Sequence, residues 1–255
     1  MIKKITNLFF LLCSITLLAQ EKEFYQLKIY SFDTKQQEET TDVFLETAYL
    51  PALKRQKITD IGVFKTRDID SVNRLKTYVL IPFNSLSQFE SLESSLSNDA
   101  LFLKDGSAYL KSSYDNAPYK RISSIVLKAF IDHPKLTTPK LKGPREERIY
   151  ELRSYESATE NLFKNKVDMF NAGGEVKLFD RLDFNAVFYG EVISGPVMPN
   201  LMYLTTFENQ ESRDLHWQAF GDAPEWTILK EDPKYQNNVS SNIQVFLYPT
   251  DYSDY

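Results

Sequence analysis

The chain has 255 residues, of which 42% are hydrophobic and 25% charged, and its net charge is −5. That balance disfavours nucleic acid and anionic membrane surfaces as partners, because both reward a basic face. One cysteine, Cys13, and two histidines rule out a disulfide framework and leave a zinc site short of its usual ligands, so neither a metal nor another cofactor is expected.

Lys3 and Lys4, an apolar run over residues 5–18 and then Ala19-Gln20 have the order of a secretory signal peptide. The run is too short and wrongly flanked for a membrane span, and nothing later is long enough either. Cleavage is expected near Ala19, leaving an exported, periplasmic or secreted chain with no cysteine. Leu12, where a small residue is wanted, argues against lipidation of Cys13.

Residues 24–30 alternate and read as a strand. A capping-box pattern from Asp33 to Gln36 opens a helix carrying Phe44, Leu45, Ala48, Tyr49 and Ala52, with a kink or fresh turn expected at Pro51. Short strands follow at 61–64 and 77–81. Ser85 begins a second helix with Leu86, Phe89, Leu92 and Leu96 as its stripe, and residues 122–129 form a fourth strand. The order is β-α-β-β-α-β, a ferredoxin-like unit spanning residues 21–132. Pro134, Pro139, Gly143 and Pro144 mark residues 133–147 as an extended linker.

Residues 148–255 repeat the order. Ile149-Tyr150-Glu151-Leu152-Arg153-Ser154-Tyr155 answers Phe24-Tyr25-Gln26-Leu27-Lys28-Ile29-Tyr30, 125 residues apart, and the same offset relates Tyr78 to Tyr203. A strand at 148–154, a capping box from Ser157 to Glu160, a helix ended by Gly173-Gly174, strands at 185–193 and 201–207, a helix over 209–220, a short helix from Pro224 and a strand over 241–247 complete the unit. One such sheet leaves an apolar face bare. Two units can cover each other, so the expected class is α+β, with two tandem ferredoxin-like units forming an internal pseudo-dimer. A homodimer of chains is permitted but not required.

The stretches Tyr150-Glu151-Leu152-Arg153-Ser154-Tyr155, Val187-Phe188-Tyr189-Gly190, Arg213 to Trp217 with Phe220, and Pro224-Glu225-Trp226 resemble the NIPSNAP family. Leu50-Pro51-Ala52-Leu53 and Ile61-Gly62-Val63-Phe64 extend the resemblance to the first half, which lacks the tryptophan-bearing helix. The resemblance implies a dimeric α/β-barrel architecture. It implies little about activity: mitochondrial members are associated with protein interactions and organelle quality control. Other families on this barrel include monooxygenases, haem-degrading enzymes and isomerases, a likeness of fold alone.

No zinc-protease, phosphate-loop, dinucleotide or nucleophile-elbow motif is present. Arg213, His216, Trp217 and Phe220 fall on one helical face, where His216 could act as an acid–base group and Arg213 and Trp217 could bind a ligand. They could equally be a packed core with polar margins. Tyr189 and Glu191 share a strand face with Tyr203 nearby, a set able to bind or deprotonate a small aromatic molecule if that face lines a cavity. Ordinary barrel packing explains them as well. The loop 195–200 could be a lid or merely a turn. Both tryptophans and His216 lie in the second half, which is where a site is expected. The expected function is binding of a small hydrophobic or aromatic ligand or of a protein partner. The alternatives are a monooxygenase- or isomerase-type enzyme using His216 or Glu191, and a structural interaction module of the envelope.

Overall fold

The computed structural model describes residues 21–67 and 75–255, so the expected signal peptide lies outside the described residues. The strands are β1 (Phe24–Ser31), β2 (Gly62–Thr66), β3 (Lys76–Phe83), β4 (Arg121–Ala129), β5 (Ile149–Glu156), β6 (Phe188–Ser194), β7 (Asn200–Phe207) and β8 (Ser241–Pro249). They close one barrel in the order β1-β3-β2-β8-β5-β7-β6-β4. Within it, β4-β1-β3-β2 comes from the first half and β8-β5-β7-β6 from the second, with the same antiparallel pattern. The two sheets meet where β2 pairs with β8 and β4 with β6. Closure thus removes the free edges that a lone four-stranded sheet would expose.

Strand alternation sends one face of each strand inward. Leu27, Phe64, Leu80, Leu127, Leu152, Val192, Leu204 and Leu247, drawn from all eight strands, form one apolar cluster that fills the barrel. Tyr255 joins it, 4% exposed, with its ring 5.6 Å from that of Phe64. The segment 133–147 is no free tether. Leu136 and Leu141 pack against the barrel cluster, Leu136 N donates to Glu23 Oε2 (2.7 Å), and Thr137 N donates to the Val187 carbonyl (2.9 Å).

The outward faces lie under helices: α1 (Lys35–Phe44), α2 (Leu50–Arg55), α3 (Leu86–Ser97), α4 (Ala100–Asp105) and α5 (Ser107–Leu110) in the first half; α6 (Glu160–Phe170), α7 (Glu175–Arg181), α8 (Gln210–Asp222) and α9 (Pro224–Glu231) in the second. A π-helical turn, Leu45–Tyr49, links α1 to α2, whose second residue is Pro51, so the expected irregularity falls just before the proline. The caps differ in detail from expectation. Thr34 Oγ1 accepts from Gln37 N while Asp33 N donates to Gln37 Oε1, placing the box one residue later. Thr159, not Ser157, caps α6, and Ser157 Oγ instead donates to the Asn238 carbonyl. Leu86 is 44% exposed and so leaves the stripe that Leu92 and Leu96 bury. Helices α4, α5 and α7 have no counterpart in the expected order; their apolar runs are too short to show a period.

The ladders also correct the relation between Tyr78 and Tyr203. Lys28 pairs with Val79, whereas Arg153 pairs with Tyr203, so Tyr203 answers Val79. Tyr78 points into the barrel and Tyr203 lies under the helices. One residue of slip is enough to exchange the two faces.

Candidate functional site

A polar–aromatic construction lies outside the barrel, in the second half, where β5 and β8 run beneath α6, α8 and α9. A cleft of about 520 Å³ opens there, lined by Arg153, Tyr155, Lys166, Trp217, Phe220 and Trp226 among others. Its position follows from strand period. Glu151, Arg153 and Tyr155 alternate on β5, so all three face the helices, while Tyr150 and Leu152 face the barrel.

Glu151 is fully buried, and a buried carboxylate must be compensated. Arg153 Nε donates to its Oε1 (2.6 Å), Arg213 Nη2 to Oε1 (3.2 Å) and Arg213 Nε to Oε2 (2.8 Å), and Trp217 Nε1 donates to Oε2 (2.8 Å). One acid from the strand therefore fixes an indole and a guanidinium from α8 and a guanidinium of its own strand. The Arg153 guanidinium carbon sits 3.9 Å from the centroid of the Trp217 ring, a stacked cation–π contact. Phe179 and Phe184 meet the same indole edge-on, with centroids 5.8 and 5.0 Å away. The hydrogen bonds and ring packing fix the rotamers along this wall of the cleft.

Arg153 Nη1 also donates to the Tyr155 hydroxyl (3.2 Å), which shares a hydrogen bond with the Tyr203 hydroxyl at 2.9 Å. Burial raises the Tyr203 phenol well above its ordinary value, and the neighbouring Tyr155 adds to this, so it stays protonated. Burial works against the Arg153 charge, but the hydrogen-bonded Tyr155 hydroxyl and the Glu151 carboxylate outweigh it and keep the guanidinium ionised.

On the opposite wall, Lys166 and Glu175 are 4% and 2% exposed, and Lys166 Nζ donates to Glu175 Oε2 at 3.0 Å. The same ammonium lies 4.7 Å from the Phe170 centroid. Gly174, at φ +89°, turns the chain between α6 and α7 and so sets Glu175 back against Lys166.

The first half carries no such arrangement at the matching positions. In the equivalent strand ladders Gln26 stands for Glu151 and Lys28 for Arg153. Aromatic rings pack over Lys28 instead: its Nζ is 4.7 Å from the Tyr49 centroid, and Phe44 stacks on Tyr109 at 3.8 Å.

Of the residues singled out in the sequence, Trp217 and Phe220 line the cleft and Arg213 braces it from behind. His216 turns away: its Nδ1 is 2.5 Å from the Ser212 carbonyl, and its ring lies 5.4 Å from Phe207 and 5.9 Å from Phe184. Tyr189 is fully buried, stacked on Tyr203 at 5.6 Å, and its hydroxyl has no partner among the described residues. Tyr203 reaches the cleft only through Tyr155. Glu191, half-exposed on β6 opposite Leu201 and Lys128, is not among the lining residues. On this face Tyr189 is packed beneath the helices. Arg153, Tyr155, Lys166 and Trp226 were the residues overlooked. Two opposite charges at period two on a strand rich in aromatics, Glu151 and Arg153, were the available signal. Among the described residues, no group of three or more His, Cys, Asp or Glu side chains is placed to hold a metal ion, and no helix is long and apolar enough to cross a membrane.

Barrel, helical layer and one-sided cleft define the class, an α+β protein on the dimeric α/β-barrel fold with its polar–aromatic site between sheet and helices. Residues 150–254 match the NIPSNAP family model. No curated protein sequence matches the chain. Among solved structures, a candidate monooxygenase from Lactobacillus acidophilus is 12% identical with a TM-score of 0.56, covering 90% of this chain and 94% of that one. A second candidate monooxygenase, from Fusobacterium nucleatum, is 8% identical with a TM-score of 0.55 and coverage of 90% and 93%. An anthrone oxidase-like protein is 12% identical with a TM-score of 0.50 and coverage of 91% and 93%. At these identities the likeness is one of fold.

Proposed function

We propose that this protein binds a small aromatic molecule in the cleft of its second half. The observation that carries this reading is the concentration there of both tryptophans of the chain, Trp217 and Trp226, beside a pre-organised arginine and a phenol. Apolar walls with a few converging polar groups are what ligand sites of this size present. The two tryptophans also supply the test, since all indole emission reports on the cleft. Titration with small aromatic compounds should shift that emission, and native mass spectrometry should show a one-to-one adduct that Trp226→Ala weakens. Unchanged emission together with a bare mass throughout would overturn the reading.

A second reading, a monooxygenase-type enzyme, is supported by the likeness in fold to the two candidate monooxygenases above. In that case the proton-handling groups would be Tyr155 and Lys166, which line the cleft, rather than His216 or Glu191. The expected separating measurement is oxygen uptake with a bound aromatic compound, abolished by Tyr155→Phe.

The architecture supports a tandem arrangement as well: residues 21–132 and 148–255 as two NIPSNAP-like domains joined by 133–147, each sheet covering the other. The shared strand order favours it. We also propose export with cleavage near Ala19, which N-terminal sequencing of the secreted or periplasmic protein would check.

A further inference from the structure

Resting on the reading of the cleft as a ligand site, we infer that its ligand is an aromatic carboxylate, with the acid group on Arg153 and the ring against the tryptophans. Three observations converge on this. First, the guanidinium is held on two of its three nitrogens: Nε donates to Glu151 and Nη1 to Tyr155. Among the described residues none accepts from Nη2, although the side chain is only 12% exposed and lines the cleft. A planar donor fixed along one edge, with one nitrogen left over on a residue that lines a concave space, suits a carboxylate better than any neutral acceptor.

Second, the charges lining the cleft are unbalanced. Arg153, Lys166 and Lys230 face a single acid, Glu175, and Glu175 is bound to Lys166. The cleft is positive within a chain of net charge −5, so the surplus is local rather than a reflection of composition. Behind it, Glu151 is shared between two guanidinium groups, and Arg213 also donates to Asp214, whose side chain is 57% exposed. Glu151 thus orients Arg153 and does not occupy its remaining donor.

Third, the apolar surface beside that donor is aromatic and rigid. Trp217 stacks on the guanidinium, Phe220 lies 5.5 Å from Trp217, and Trp226 lies 4.6 Å from Phe220, measured between ring centroids. A ring can lie against this surface while its acid group reaches Nη2.

Calorimetric titration of the full-length protein with 2-naphthoate and its neutral isostere 2-naphthamide tests the inference. The carboxylate should bind at least about tenfold more tightly, the scale of a charge-assisted hydrogen bond. Arg153→Met should abolish that preference while still binding the amide, which also shows that the variant is folded. Arg153→Lys, which keeps the charge without the planar fork, should recover part of it. Equal affinities for the two probes in the unmodified protein would overturn the carboxylate assignment and leave the aromatic cleft standing. Failure of both probes, with tryptophan emission unmoved, would remove both.

Discussion

The Arg153 guanidinium lies 3.9 Å from the centre of the Trp217 ring, and both groups donate to opposite oxygens of Glu151. Strand and helix are thereby joined by one buried carboxylate, which makes Glu151 the keystone of the cleft. Removing it strands two guanidinium groups and an indole N–H. Glu151→Ala should lower stability by about 3–5 kcal/mol, the usual penalty for breaking a buried ion pair from one side. Urea denaturation measures this directly, and a loss below about 1 kcal/mol would mean that water replaces the carboxylate without difficulty.

Lys166 and Glu175 should behave differently when changed singly and together. Lys166→Met leaves Glu175 buried and uncompensated, again costing about 3–5 kcal/mol. The double change Lys166→Met with Glu175→Leu should be close to neutral, because apolar replacement of a whole buried pair removes the desolvation cost of both charges. A double-mutant cycle by equilibrium unfolding would quantify the coupling.

His133 predicts a dependence on mild acid. Burial is the main cause of its lowered pKa, partly opposed by the Val187 carbonyl and by Asp180. The unfolded chain therefore takes up a proton near the ordinary value of 6.5 that the folded chain resists. Stability is lost as pH falls through that value and levels off below the depressed folded one. His133→Asn should flatten this part of the profile, seen by comparing urea midpoints of the two proteins from neutral pH downward. Parallel profiles would show that the imidazole is as accessible folded as unfolded.

Gly62 is a packing constraint rather than a turn. A Cβ there would stand 2.3 Å from the Tyr255 ring and 2.5 Å from that of Phe64. Gly62→Ala should cost about 1–3 kcal/mol, as overpacking usually does. Tyr255→Ala in the same chain should return part of that loss, which thermal unfolding of the single and double variants would reveal.

Much of this was legible in the chain itself, and particular residues show where legibility ended. Alternation from Tyr25 to Tyr30 and from Tyr150 to Tyr155 marked β1 and β5 correctly, and Trp217 was found because it sits on a face with Phe220. His216 shares that face in projection, yet a turn of arc sufficed to direct it to Phe207 and the Ser212 carbonyl. Tyr203 was matched to Tyr78 by a constant offset, which overlooks a one-residue difference between the strand ladders. Arg153 and Tyr155 stood in the repeated motif, where their role as strand residues concealed their role in the cleft.

Local physics therefore determined the order β-α-β-β-α-β in each half and, to within a residue or two, the helix starts at Thr34, Ser85 and Thr159. These depend on side-chain period and on hydrogen bonds between residues a few positions apart, which a sequence states directly. Tertiary structure alone decided that eight strands close around a filled interior and that the cleft lies outside it. It also decided that Glu151 meets Arg213 and Trp217 from α8, and that Lys166 meets Glu175 across a glycine turn. Period tells which face a residue occupies; only packing tells what stands opposite.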